Sequence, residues 1–182
     1  LPSLGARTLF VDRVGSTWVG SVGLFQERGG GLLERYDLGN GFPGDVAWSI
    51  ARDRDGALWV GTNRCLARML AGRWECLPGS ENRVVRSFAF APQGGVFLGG
   101  APSDLLYIDP AGHAVSLGGE LHEPADHAIL SLRFGPEGDL WVATKTGLYR
   151  LPNGVPGGLE RVTVPGIPVD VKFNSLIVAE GR

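Results

Sequence analysis

The stretch Ser49-Ile50-Ala51-Arg52-Asp53-Arg54-Asp55-Gly56-Ala57-Leu58-Trp59-Val60-Gly61-Thr62 places a turn glycine between two short apolar runs. Asp55-Gly56 supplies the positive φ that a tight hairpin needs, so the stretch reads as strand, turn, strand. The phrase occurs three more times, as Asp12-Arg13-Val14-Gly15-Ser16-Thr17-Trp18-Val19-Gly20, Ala91-Pro92-Gln93-Gly94-Gly95-Val96-Phe97-Leu98-Gly99 and Gly135-Pro136-Glu137-Gly138-Asp139-Leu140-Trp141-Val142-Ala143-Thr144. Anchored on Gly15, Gly56, Gly94 and Gly138, the copies are 41, 38 and 44 residues apart, each with an aromatic residue three positions after its anchor. A third β-prone run follows in each copy, at Leu24–Gln26, Leu66–Met69, Leu105–Ile108 and Gly147–Arg150, and a fourth after another turn.

Four antiparallel strands per forty-odd residues is the period of a propeller blade. The expected fold is therefore all-β: a β-propeller of four-stranded antiparallel blades at 7–38, 45–78, 84–118 and 128–165, forming one segment over 1–182. Pro168-Val169-Asp170-Val171-Lys172-Phe173 matches Pro43-Gly44-Asp45-Val46-Ala47-Trp48 at an offset of 125, which predicts the first strand of a fifth blade over 168–182. Four blades and part of a fifth fit a fragment of a larger ring.

Both faces of a blade are covered by neighbours, so its second strand needs a bulky side chain that reaches across the gap. Trp18, Trp59, Phe97 and Trp141 are assigned to that structural core, where each contributes roughly 1.5–3 kcal/mol by burial. Gly20, Gly61, Gly99 and Ala143, two residues on, fall where close packing leaves little space.

Composition agrees. Of 182 residues, 43% are hydrophobic, too many for disorder, and 29 Gly and 12 Pro without a three-residue period exclude collagen and disfavour long helices. With 17 basic against 19 acidic residues and no basic block, nothing suggests a nucleic-acid partner. No apolar run is long enough to span a bilayer, so a membrane is expected only through segments outside this chain, which reads as excised from something longer.

The phrase Ser49–Thr62 closely resembles the two-component regulator propeller repeat: an apolar strand, an acidic residue, a turn glycine, Leu-Trp-Val-Gly-Thr, then a Gly-Leu-aromatic strand. The fourth copy is similar, with Ala143 for the usual glycine; the third departs most, with Phe97 for Trp and Gly99-Gly100-Ala101-Pro102-Ser103 in place of Gly-Thr. The resemblance implies a non-enzymatic sensory, ligand-binding propeller segment, periplasmic or extracytoplasmic, belonging to a membrane-bound histidine kinase, hybrid regulator or diguanylate cyclase. An unidentified small-molecule or glycan signal and self-association of the sensor region are the expected partners, without a cofactor. The alternatives are a propeller enzyme of lyase or sialidase-like type, or a protein-interaction scaffold. Aspartate boxes of the sialidase kind are absent: Arg13, Arg54, Pro92 and Pro136 stand two positions before the glycine where that box carries Asp.

Candidate ligand-binding residues come from positions at which the copies disagree. Eight residues before the anchor, on the strand face of Leu9, Ile50, Phe88 and Leu132, stand Arg7, Trp48, Arg86, Leu130 and, in the tail, Phe173. Repeated packing does not dictate them; Arg offers a planar fork for carboxylate or phosphate, and Trp a stacking surface. Asn63, Arg64 and Lys145 join them from the loops after the second strands. Neither catalytic residues nor a metal site is expected, since in His122-Glu123-Pro124-Ala125-Asp126-His127 the spacing is one residue too long for a zincin helix and Pro124 interrupts it. Cys65 and Cys76 flank a predicted hairpin. A four-residue loop from Met69 to Gly72 sets them opposite each other for a disulfide; another loop length offsets the pair, and two free thiols are the other reading.

Overall fold

The computed structural model describes residues 5–101, 104–118, 121, 128–168 and 171–177. They form four four-stranded antiparallel sheets, each in chain order, and divide into two compact units, Leu1–Val85 and Arg86–Arg182. The first sheet contains β1 (Thr8–Val11), β2 (Thr17–Ser21), β3 (Gly23–Glu27) and β4 (Leu33–Tyr36); the second contains β5 (Ala47–Arg52), β6 (Leu58–Thr62), β7 (Leu66–Leu70) and β8 (Arg73–Cys76). The third comprises β9 (Val84–Phe90), β10 (Val96–Ala101), β11 (Leu105–Ile108) and β12 (Ala114–Ser116); the fourth, β13 (Ile129–Phe134), β14 (Leu140–Thr144), β15 (Leu148–Leu151) and β16 (Glu160–Val162). The chain is all-β and its sheets are propeller blades.

Within each unit, blades meet at the glycine two residues after the anchor aromatic. A Cβ on Gly20 would stand 2.8 Å from the backbone oxygen of Ala47, the first residue of β5, and would also strike Thr8. On Gly61 it would meet Ser49 Oγ and lie 2.5 Å from the Val85 oxygen; on Gly99, 2.5 Å from Ile129 Cγ2 at the head of β13. Real Cβ contacts do not approach so closely, so these positions accept hydrogen alone.

Around these contacts the cores fill. In the first unit Trp18 is buried and stacks on Tyr36 at 5.8 Å between centroids; Tyr36 meets Trp74 edge-on at 5.9 Å, and Trp74 meets the buried Phe42 at 5.0 Å. Aromatic groups of both blades thus share one core with Leu24, Leu58 and Val60. In the second unit Phe97 is fully buried beside Tyr107 and Phe134, in a core with Ile129, Leu132 and Tyr149. Trp59 is buried as well, but Trp141 is only partly so, because no described sheet follows its blade.

Two anchor indoles have a second role. Asp12 Oδ1 accepts the Val14 and Ser16 backbone N–H groups at 3.1 and 2.9 Å, closing the β1–β2 turn, while its Oδ2 accepts Trp18 Nε1 at 3.1 Å and Arg52 Nη2 at 3.0 Å. Asp53 repeats the device with Ala57 N at 2.8 Å and Trp59 Nε1 at 2.7 Å. One carboxylate therefore shapes the turn and satisfies the N–H of a buried ring. Ala91 and Gly135 stand at this position in the other two blades, which lack the device. Burial pushes the Asp12 carboxyl upward, but Trp18, Arg52 and the two backbone donors together outweigh it and hold it below its ordinary range.

One open alternative is decided and other expectations are corrected. The β7–β8 turn has two residues, the loop length that offsets the cysteines: Leu70 pairs with Arg73, and Ala71 and Gly72 both take positive φ (48° and 78°), as a primed hairpin turn requires. Cys76 consequently faces Ala67, and the disulfide to Cys65 runs diagonally across the ladder, with Cα atoms 5.8 Å apart. In β5 and β13 a register shift between Ala47 and Ser49, and between Ile129 and Ser131, leaves Trp48 and Leu130 outside the ladder. Alternation does not carry through a bulge, so these residues do not share a face with Ile50 and Leu132 by period alone.

The tail changes register too. Ser87 Oγ accepts the Leu132 N–H at 3.0 Å, and Ser131 Oγ accepts the Leu176 N–H at 3.2 Å. Leu176 is thus the equivalent of Leu132, and the counterpart of Trp48 and Leu130 is Asn174 rather than Phe173, whose backbone N–H bonds to the Thr144 oxygen at 3.1 Å. Residues 171–177 form no strand, since no second strand among the described residues ladders with them.

Gly61→Ala should destabilise the protein by about 1–3 kcal/mol or more through overpacking, read as a lower thermal midpoint. Asp12→Ala should cost about 1–3 kcal/mol by leaving the Trp18 N–H without its acceptor. Because the folded carboxyl titrates below the unfolded one, that difference should be complete above about pH 4 and shrink as pH falls through the folded value, as paired acid titrations would show.

Candidate functional site

The start of a blade's first strand lies beside the end of its second, so Arg7, Trp48, Asn63 and Arg64 share one end of the blades of the first unit. Arg7 N donates to Gly20 O at 2.8 Å, and Ala47 pairs with Thr62. The exposed Arg7 guanidinium lies 4.2 Å from the centroid of the partly buried Trp48 ring. This cation–π contact joins the two blades at their rim; such contacts are worth about 0.5–1 kcal/mol when exposed. Trp48 owes its position to the bulge, which frees one residue from the ladder and re-aims its side chain.

In the second and fourth blades the loop after the second strand is built by a threonine. Thr62 Oγ1 accepts the N–H groups of Arg64 and Cys65, both at 3.0 Å, and donates to Cys65 O at 2.9 Å. Thr144 Oγ1 accepts from Thr146 and Gly147 at 3.2 and 3.0 Å and lies 3.1 Å from Gly147 O. A buried hydroxyl therefore folds the chain back in three residues and leaves Arg64 and Lys145 exposed at the loop tips. In the third copy Gly100 occupies this place, with no hydroxyl to do so.

Asn63 turns inward. Its Oδ1 accepts the N–H groups of Asp45 and Val46 at 2.9 and 3.2 Å, fastening the connection between the first two blades. Arg64 Nη2 reaches Asp45 Oδ2 at 3.1 Å, and its backbone oxygen accepts the Arg83 N–H. Asn63 first, and then Arg64, hold the Asp45 carboxyl below its usual range. In the second unit Arg86 lies partly buried in β9, and Lys145 is exposed between β14 and β15. The first unit thus brings four candidates to one end, with Asn63 occupied by backbone, Arg7 and Arg64 exposed and Trp48 partly buried. His113 pairs with Asp109 at 3.0 Å on an exposed turn; His122 and His127 lie outside the described residues.

Residues 41–64 match the family described as Two component regulator propeller. The repeat runs from the connection preceding β5 through the threonine turn after β6, and so contains Trp48, Asp45, Asn63 and Arg64. Among solved structures, the chain is similar to an extracellular domain from B. thetaiotaomicron described as a one-component or a hybrid two-component system, with TM-score 0.75 and 23% identity over 94% of this chain and 24% of that one. A second extracellular domain of a hybrid two-component system from the same organism aligns with TM-score 0.58 and 17% identity, over 91% of this chain and 30% of that one. A structure described as a gluconolactonase aligns with TM-score 0.62 and 20% identity, over 96% of this chain and 67% of that one. The chain spans about a quarter of the first of these relatives, and at such identities the likeness is one of fold. No curated protein matches the sequence significantly.

The sequence did not single out Thr62 and Thr144 as the builders of the loops, although both stand in the Val-Gly-Thr and Val-Ala-Thr phrases. Nor did it mark Arg52, which joins Asp12 across the two blades.

Asn63→Ala should cost about 1–3 kcal/mol, since it strips the acceptor from two backbone donors, whereas Arg64→Ala should stay within about 0.5 kcal/mol because its ion pair is exposed. Denaturant midpoints of the two variants, side by side, check this.

Proposed function

We propose that this segment is a non-enzymatic sensory propeller module of an extracytoplasmic signalling protein, and that its signal is met at the rim where the first strands of the blades begin. The Arg7–Trp48 pair carries the reading. It sits at positions the repeat does not prescribe, one residue exposed and the other lifted from its ladder by a bulge. A guanidinium fork and an indole face together suit an anionic or polar ring-bearing small molecule or glycan. The regulator propeller repeat and the resemblance to extracellular domains of two-component systems support the placement in signalling. No helix among the described residues is long and apolar enough to cross a membrane, so on this reading the span and the signalling enzyme lie in other parts of the polypeptide.

Binding would shift the balance between two arrangements of self-associated sensor regions, by no more than the ligand's preference for one of them. The resemblance to a gluconolactonase structure supports a second reading, as a propeller enzyme.

In the full-length protein, replacing Arg7 and Trp48 together with alanine should reduce signal-dependent reporter output by about tenfold or more, as loss of a binding hot spot does, at unchanged protein abundance. A full response from the double variant would overturn the rim as the recognition site, and turnover of lactones by the purified protein would favour the enzymatic reading.

A further inference from the structure

At the other end of the same strands, the β1–β2 and β5–β6 turns of the first unit flank a groove of about 630 Å³. Phe10, Val14 and Ala51 give it apolar walls, while Arg13, Arg52 and Arg54 supply three guanidinium groups. Its two carboxylates are already engaged: Asp12 by Trp18 Nε1 and Arg52, and Asp53 by Trp59 Nε1 at 2.7 Å and Arg68 at 3.6 Å. Arg52 is occupied as well, with Asp12 at 3.0 Å and the Gly56 oxygen at 2.6 Å. Arg13 and Arg54 are exposed, form no ion pair among the described residues, and leave the mouth of the groove with excess positive charge. Asp55, next in the chain, does not line it.

The internal repeat serves as a control on whether a blade needs this charge. The residues equivalent to Arg13 and Arg54 in the other two copies are Pro92 and Pro136, and those equivalent to Val11 and Arg52 are Phe90 and Phe134. In the second unit Phe134 packs against Phe97, and Gln93 Nε2 bonds to the Gly154 oxygen at 2.8 Å. The same turns therefore form with proline and phenylalanine, and the blade fold does not require arginine there. Arg13 and Arg54 occupy matching turn positions on two stacked sheets, which pack about 10 Å apart.

We propose that this groove is a binding site for a small dianion with an apolar spacer, of the linear dicarboxylate class, one acid group held by Arg13 and the other by Arg54. The hydrocarbon spacer lies along Phe10, Val14 and Ala51, and each carboxylate takes a charge-assisted contact from a guanidinium fork. Arg52 stays with Asp12 and stiffens the floor. Because Trp18 and Trp59 donate their indole N–H groups to the two floor carboxylates, an occupied groove reports directly on those two rings.

The test uses the purified protein, adipate as probe and acetate as its single-acid control at matched ionic strength, with the indole N–H resonances of the tryptophans followed by NMR. Adipate should shift the Trp18 and Trp59 signals saturably while leaving that of Trp141 in place. It should bind about tenfold more tightly than acetate, the factor expected when a second charged contact adds some 1.4 kcal/mol. Arg13→Gln and Arg54→Gln should each weaken adipate about tenfold without changing the thermal midpoint. No saturable shift, acetate as effective as adipate, or the same affinity in the Arg13→Gln/Arg54→Gln double variant would each overturn the site. Inorganic phosphate competing as well as adipate would also overturn it, since the spacing of two acid groups would then play no part in binding.

Discussion

Blade-to-blade packing in this protein turns on residues with no side chain. Gly20, Gly61 and Gly99 lie against the first residues of a following strand so closely that a single methyl group would collide with backbone or with a branched side chain. The large apolar groups depend on that approach: a stack such as Trp18–Tyr36–Trp74–Phe42 closes only if the sheets are near enough for rings on both to touch. An aromatic residue and a glycine two positions apart therefore act as one unit, the first filling the gap between blades and the second setting its width.

Polar groups organise the ends of the blades by a separate logic. Asp12 and Asp53 close the turns at one end and satisfy the buried indoles; Thr62 and Thr144 fold the loops at the other. Each is a short side chain that takes over backbone donors a strand ladder cannot reach. Residues at the loop tips and turn mouths are thereby relieved of structural work. Arg64 and Lys145 at one end, and Arg13 and Arg54 at the other, are the side chains that benefit.

The first two blades differ from the second two in their polar contacts. The carboxylate-to-indole bonds at the first hairpin turn of each blade, the rim contact of Arg7 with Trp48, the Asn63 fastening and the disulfide all belong to the first unit, as do the residues matched by the regulator propeller family. In the second unit the corresponding turns are closed by Pro, Phe and Gly, with Asp139 instead bonding Arg150 and the Asn153 N–H. The strand architecture is nonetheless the same in both units.

The sequence by itself determined the strand order, the blade period and the aromatic position of each second strand, at which Trp18, Trp59 and Phe97 are buried and Trp141 partly so. These depend on local backbone preference and on the spacing of apolar groups, which are written along the chain. Only the tertiary structure decided the two-residue turn that sets Cys76 diagonal to Cys65, the bulge that takes Trp48 out of its ladder, the one-residue shift of the tail and the basic groove between two turns. A register slips by one residue at little cost to composition or period, and a groove exists only once two distant turns stand side by side.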